Sequence, residues 1–154
     1  MNTICVKYRR SAFRFPEPTV AQIEDLLLLD TVASTTWLDK LAVIADTASR
    51  CTRFRLWWFV LRHGDVGIVA ILQAVFGFVQ EGQPVVNDVF APDADEVLSD
   101  FRAQIHRVAT ETTLTPDTVR AMTARDFYGV AQSVQAVRKQ RAEFEAALHD
   151  KKLK

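Results

Sequence analysis

The sequence has few of the residues that make tight turns, with five glycines and five prolines in 154 residues. β-Sandwiches and β-barrels need many tight turns, and glycine and proline are the residues that commonly form them. Their scarcity therefore favours helices over a large sheet. The two cysteines, Cys5 and Cys51, lie far apart and belong to no CxxC or Cys/His motif. We therefore predict reduced thiols in a cytoplasmic protein.

The chain also lacks an excess of charge of either sign, because nineteen Lys and Arg residues balance nineteen Asp and Glu residues. A neutral chain has no overall field that draws it to nucleic acid or to an anionic membrane. We therefore predict neither kind of partner. The content of hydrophobic residues, 49%, is that of an ordinary globular protein.

No uncharged run reaches the roughly 20 residues that a membrane-spanning helix needs. The longest apolar run, Val66 to Gln80, has 15 residues and is bounded by Asp65 and Glu81. We interpret this run as a buried core helix. The first residues contain no apolar run after their basic side chains, so we expect no signal peptide.

The sequence does contain a series of helical apolar stripes. We predict an all-α fold, a compact multi-helix domain with a short extended N-terminal arm and a long C-terminal helix. The arm covers residues 1–18, the helical core residues 19–122, and the final helix residues 123–154, packed on the core or extending from it. The arm is basic, with four cationic side chains before its first acid: Lys7, Arg9, Arg10 and Arg14.

Apolar residues three and four positions apart define the helices of the core. We expect N-caps at Thr19 and Thr123, and Pro116 at the first position of a short helix. A helix over residues 53–62 is apolar on nearly all sides, so it is either central to the core or covered by a partner. A turn at residues 63–65 separates it from the next helix. The predicted core residues are Trp37, Leu41, Ile44, Trp57, Val69, Leu72, Phe76, Phe101 and Ile105.

The final helix has the most regular pattern in the chain, a stripe with alternating spacings of three and four. Its members are Phe127, Val130, Val134, Val137, Arg141, Phe144 and Leu148. Such spacing is an a/d heptad stripe, here interrupted by one cation. The stripe either docks on the chain's own domain or forms a seam for another protein or a second copy. We predict these seven residues as the partner-binding site, with a homo-oligomer as one form of such binding.

Motifs of catalysis and cofactor binding are missing, including the Walker A loop, GxGxxG, GxSxG and HExxH. The acids Asp93, Asp95 and Glu96 suit a helix N-terminus better than a calcium loop, which needs a glycine at its sharp turn. We predict no metal, no cofactor and no enzyme activity. The alternative is an enzyme of another type, centred on a His63–Asp65 acid/base pair.

One stretch, residues 114–139, has the form of a known family. It begins with the letters LTPDTVRAMTARDF, in which Leu114 and Thr115 precede Val119, Met122 and Asp126 and an apolar helix follows. This stretch resembles the C-terminal part of small bacteriophage tail assembly chaperones. The resemblance implies a helical protein of the host cytoplasm, without a cofactor. Its implied work is to coat the tape-measure protein, a long hydrophobic helical protein, before the tail tube grows. A permanent structural or adaptor protein of an assembly, using the same stripe, is the alternative.

Overall fold

A computed structural model of the chain describes residues 3–80 and 93–152, and the side chains of residues 3–75 and 93–147. The protein is mostly helical, at 75%, as predicted. Within the described residues it has two strands and six helices. They are β1 (Thr3–Tyr8), β2 (Ser11–Pro16), α1 (Val20–Asp30), α2 (Trp37–Asp46), α3 (Arg50–Gln80), α4 (Ala94–Thr112), α5 (Pro116–Ala121) and α6 (Ala124–Lys152).

The N-terminal residues form a β-hairpin, so the predicted extended arm consists of two paired strands and the fold is not entirely α-helical. β1 and β2 pair antiparallel, from Thr3 opposite Pro16 to Tyr8 opposite Ser11. Alternate side chains point to opposite faces of a strand, and the apolar ones all point to the same face. Ile4, Val6, Phe13 and Phe15 are buried. The hairpin is therefore part of the core, and its basic side chains lie on the solvent side.

The first hydrophobic core joins this hairpin to α2 and α3. Its buried residues include Leu41, Ile44, Leu56, Phe59, Ile68, Ile71, Leu72 and Val75. The predictions for Leu41, Ile44 and Leu72 are confirmed, and Val69 is half-buried. The side chain of Phe76, also predicted for the core, lies outside the described residues.

Two of the predicted core residues are exposed instead. Trp37 is 44% exposed and Trp57 is 57% exposed, so both predictions are wrong. The first part of α3 has apolar residues on opposite faces, and only one of those faces can meet the core. Leu56 and Phe59 occupy the buried face, which leaves Trp57 in solvent.

The predicted turn at residues 63–65 appears as a kink within α3. Gly64 has a φ of 58° and a ψ of −153°, which are not helical values. Glycine reaches this conformation readily because it has no Cβ. Helix α3 therefore consists of two helical segments that meet at a kink at Gly64, in keeping with the predicted turn.

The two segments of α3 together contain a stretch that is long and apolar enough to cross a membrane. This stretch is Arg50–Val75, judged by length and composition alone. Core helices of soluble proteins pass the same test but are mostly buried, whereas 33% of this stretch is buried. Ile68, Ile71 and Val75 belong to the buried part, in the first core. The uncharged run predicted as a core helix, Val66 to Gln80, is shorter than this stretch, which also includes the preceding segment with its arginines.

The second hydrophobic core joins α4, α5 and α6. Its buried residues include Phe101, Ile105, Val108, Val119, Ala124 and Phe127, which confirms the predictions for Phe101 and Ile105. The expected caps are also confirmed. Thr19 caps α1, and the Thr123 hydroxyl accepts from the Asp126 amide in the first turn of α6. Pro116 occupies the first turn of α5, as expected.

Helix α1 contributes side chains to both cores. Val20 and Ile23 belong to the second core, whereas Leu26 belongs to the first. Polar contacts also extend from α1 in both directions. Gln22 Nε2 donates to the carbonyl oxygen of Val43 in α2 at 2.9 Å. On another side of α1, Glu24 accepts hydrogen bonds from α4 and α5. These contacts fix α2 on one side of α1 and α4 and α5 on the other.

Candidate partner-binding site

The first turn of α6 is held firmly against the rest of the protein. The Ala124 amide donates to the Pro18 carbonyl at 2.9 Å, and the Thr123 hydroxyl donates to Asp126 Oδ2 at 2.9 Å. Phe127 is fully buried, and its ring centroid lies 5.7 Å from that of Phe101 in an edge-to-face contact. Phe127, the first residue of the predicted seam, therefore packs inside the second core.

The middle of the seam lies in an open groove between the end of α4 and α6, the α6 groove. Its volume is about 460 Å³, and Val130, Val134 and Val137 line it. Val130 packs partly against the second core, and Val134 is half-buried. On the opposite side, Glu111 and Thr112 of α4 complete the groove. A partner side chain entering here would meet an apolar row bordered by polar groups.

An ion pair ties the middle of α6 to the end of α4. Arg138 donates to Glu111 Oε1 from Nη2 at 2.6 Å and from Nε at 2.9 Å. The hydrogen bond from Arg138, and then its charge, lower the pKa of Glu111 below its ordinary value, and the charge of Arg141 acts in the same direction. Glu111 is therefore ionised at neutral pH, and the α6 groove carries a fixed charge pair at its edge.

Beyond this ion pair, α6 leaves the core. Every residue from 135 to 147 is exposed, and on the seam side Val137 is 45% and Phe144 66% exposed. Arg141 lies between them and also lines the α6 groove. The side chain of Leu148, the last predicted member, lies outside the described residues. The seam thus passes from buried Phe127, through the groove, to an open apolar row.

The alternative site, His63 with Asp65, is not assembled in the described part of the chain, where no hydrogen bond or ion pair joins the two. The His63 ring packs 4.5 Å from the ring of Phe59 and 5.6 Å from that of Tyr8. Asp65 is exposed, on the far side of the kink at Gly64. Among the described residues no group of three or more His, Cys, Asp or Glu side chains is placed to hold a metal ion.

The sequence left open whether the helix over residues 53–62 is central to the core or covered by a partner, and the structure leaves one apolar face of it in solvent. Four large side chains on this surface are more than half exposed: Phe54, Trp57, Trp58 and Leu61. Their positions follow helical spacing, and the buried Leu56 and Phe59 fall between them on the opposite face. The spacing in the sequence indicates two apolar faces on this helix. It does not indicate which of the two faces packs against the core.

We compared the chain with protein-family models, with curated proteins and with solved structures, and it matches none of them. A function must therefore be inferred from the surfaces of the molecule itself.

Proposed function

We propose that this chain is a non-enzymatic, helical protein-binding module that holds a helical partner along α6. The observation that supports this function is the open apolar row of Val137 and Phe144, which continues the α6 groove into solvent. Helical partners are commonly held by apolar anchors about one helical turn apart. Val130, Val134, Val137 and Phe144 supply such anchors on one side of α6.

The partner we propose is a tape-measure protein, with the chain acting as a bacteriophage tail assembly chaperone in the host cytoplasm. The family resemblance, over residues 114–139, includes α5 and the start of α6, and Arg125 and Asp126 from that stretch line the α6 groove. A long amphipathic helix offers repeated apolar side chains to such a row. Arg141 interrupts the row and favours a partner helix with an acid at the matching position.

A permanent structural or adaptor protein using the same row is the alternative. The two functions differ in what remains at the end of assembly, because a chaperone leaves its partner and an adaptor stays. Mass spectrometry of mature particles separates them. Absence of the chain from particles supports the chaperone, and stoichiometric presence supports the adaptor. A genome that encodes this chain but no tape-measure protein would contradict the phage proposal altogether.

The test of the site is Phe144→Asp, which places a charge on the open row. We expect an unchanged melting temperature, because the side chain is already 66% exposed. We expect at least a tenfold loss of binding to the tape-measure protein encoded with this chain, measured by co-purification and calorimetry, because a carboxylate in an apolar contact is costly. Ala146→Asp is the matched control, since residue 146 is exposed on the other side of α6.

Val134→Asp tests whether the middle of the stripe packs on the protein's own domain. Val134 is half-buried in the α6 groove, so its replacement should destabilise the fold by about 1–3 kcal/mol, measured by urea unfolding.

Arg141→Leu removes the cation from the row and should strengthen self-association, measured by light scattering at matched concentration. Two results together would contradict a binding role for the α6 surface. They are unchanged partner binding in Phe144→Asp, and monomers for both the parent and Arg141→Leu.

A further inference from the structure

The charges of this neutral chain are distributed unevenly. The hairpin and the first segment of α3, residues 3–16 and 50–63, contain eight of the nineteen Lys and Arg residues and none of the nineteen acids. All eight side chains are exposed: Lys7, Arg9, Arg10, Arg14, Arg50, Arg53, Arg55 and Arg62. Because β1, β2 and α3 pack on one another, these cations gather in one region, and the rest of the chain is correspondingly acidic.

Part of this basic region forms an open groove of about 910 Å³ between the hairpin turn and α3, the arginine groove. Arg9 and Arg10 line it from the turn, and Arg55 and Arg62 line it from the helix. Phe13 and Phe59, both buried, lie at its base. The guanidinium of Arg55 lies 5.9 Å from the centre of the Phe13 ring, so the basic and apolar parts of the groove are in direct contact.

The helix side of the arginine groove is apolar as well as basic. Phe54, Trp58 and Leu61 line it, and they are 63%, 57% and 60% exposed. Trp57 extends this surface, with its ring 5.5 Å from that of Trp58. A contiguous row of large exposed apolar residues marks an interaction site more often than it marks plain surface. Tryptophan and arginine are also the residues that dominate the energetics of protein interfaces.

The hairpin turn keeps its arginines at an energetic cost. Two-residue hairpin turns favour Gly or Asn where φ is positive, but here Arg9 has a φ of 51°. Residues other than glycine are uncommon in this conformation, because the Cβ is crowded there. An unfavourable backbone conformation at an exposed turn points to a role for the side chain itself. The role consistent with the neighbouring residues is to place positive charge beside the apolar side of the groove.

We infer that the arginine groove binds an acidic, amphipathic segment of a partner protein. Apolar side chains of that segment pack on Phe54, Trp58 and Leu61, and its carboxylates accept hydrogen bonds from the arginines on both sides, a geometry that guanidinium groups favour. Buried Phe13 and Phe59 also line the groove, where the side chains of a polypeptide can reach them and a flat bilayer cannot. Among the residues of α6 whose side chains are described, none lines this groove, so the inference goes beyond the proposed function and does not depend on it.

The test uses a pair of synthetic helical peptides with Leu at heptad positions a and d. One peptide carries Glu at its other positions and the second carries Lys there. We expect the Glu peptide to bind the full chain at least tenfold more tightly than the Lys peptide, measured by calorimetry. The affinity should fall as salt is raised, because exposed charges are screened. Equal affinity for the two peptides, or no binding of the Glu peptide, would overturn the inference.

Substitutions in the arginine groove test whether the Glu peptide binds there. Trp58→Ala should weaken binding of the Glu peptide by about tenfold or more, as expected for an interface tryptophan. The double variant Arg55→Glu/Arg62→Glu should reverse the preference and bind the Lys peptide. Arg107→Glu, which changes an exposed cation of α4, is the control and should leave the affinity unchanged. All of these side chains are exposed, so the melting temperature of each variant should match that of the parent.

Binding measurements also distinguish an acidic protein segment from other possible occupants of the groove. Stronger binding to phosphatidylserine–phosphatidylcholine vesicles or to a single-stranded oligonucleotide than to the Glu peptide would overturn the inference, and so would a dimer of the parent that Trp58→Ala converts to monomer. Phe144→Asp should leave peptide binding intact. Failure of the α6 proposal and failure of this one can therefore be told apart.

Discussion

Helices α3 and α4 are both rich in apolar residues, but they use them differently. In α4, the stripe of Leu98, Phe101 and Ile105 is entirely buried. In the first part of α3, Leu56 and Phe59 are buried while Trp57 and Trp58, on the opposite side, are exposed. A helix with one apolar face has only one orientation that buries it. A helix with two such faces buries both only when it is central to the core; the first part of α3 is not, and its second face is available for a partner.

The largest expected effect compares two phenylalanines, one from each helix. Phe101→Ala should destabilise the protein by about 3–5 kcal/mol, because Phe101 is only 7% exposed and its removal leaves a cavity. Phe54→Ala should cost less than about 1 kcal/mol, because Phe54 is 63% exposed. Urea unfolding at fixed pH measures both. Similar losses for the two variants would mean that α3 presents the other face to the core.

A smaller effect concerns the charges that hold α1. Glu24 accepts hydrogen bonds from Arg102 Nε at 2.7 Å and Arg120 Nε at 2.8 Å. Glu24→Gln should cost about 1–2 kcal/mol at neutral pH, since Glu24 is buried but both arginines remain partly exposed. Asp30→Asn, which breaks the more exposed Asp30–Lys40 pair on the other side of α1, is the matched control and should cost under about 1 kcal/mol.

The Glu24 contribution should also depend on pH. The hydrogen bond from Arg120 is the main cause that lowers the pKa of Glu24 from its ordinary 4.5, and it outweighs the opposing effect of burial. A lowered pKa in the folded state means that the stabilisation is complete above pH 4.5 and is lost as the pH falls through the lowered value. The stability difference between parent and Glu24→Gln should therefore shrink on acidification. A difference that stays constant down to pH 2 or so would contradict this linkage.

The smallest effects come from two glycines in opposite halves of the protein. Gly64→Ala should destabilise by about 1–2 kcal/mol, because its φ of 58° is unfavourable for a residue with a Cβ. Gly129→Ala should stabilise by about 0.5–1 kcal/mol, because this glycine lies in α6 and a Cβ there meets no atom within 4 Å. Thermal unfolding gives the sign of each change. Stabilisation by both substitutions would show that α3 runs straight through residue 64.

The parts of the fold that the sequence predicted well depend on local signals. The capped start of α6 at Thr123 and the buried residues of α4 follow from side chains within a few positions of one another. The hairpin was missed because its turn, Arg9 and Arg10, contains no glycine or asparagine. Trp57 was misplaced because its helix has two apolar faces, and a choice between them depends on the distant hairpin.

The sequence predicted the candidate site as one row of residues on α6. It did not predict which residues of that row are buried and which are exposed. Spacing alone placed Phe127 and Phe144 on the same side of one helix. Their different burial arises because α4 ends at Thr112 and its Glu111 meets Arg138, a contact between residues far apart in the chain. The arginine groove depends in the same way on the packing of the hairpin against α3, which no local pattern encodes.

The position of α1 between the two cores has a consequence for how the protein unfolds. Neither core is complete without α1, because Val20 and Ile23 fill one and Leu26 fills the other. Opening either core therefore removes packing that the other one needs, and the two should melt as one cooperative unit rather than as separate foldons. Amide hydrogens in α2 and in α4 should accordingly exchange with similar protection, although these helices belong to different cores.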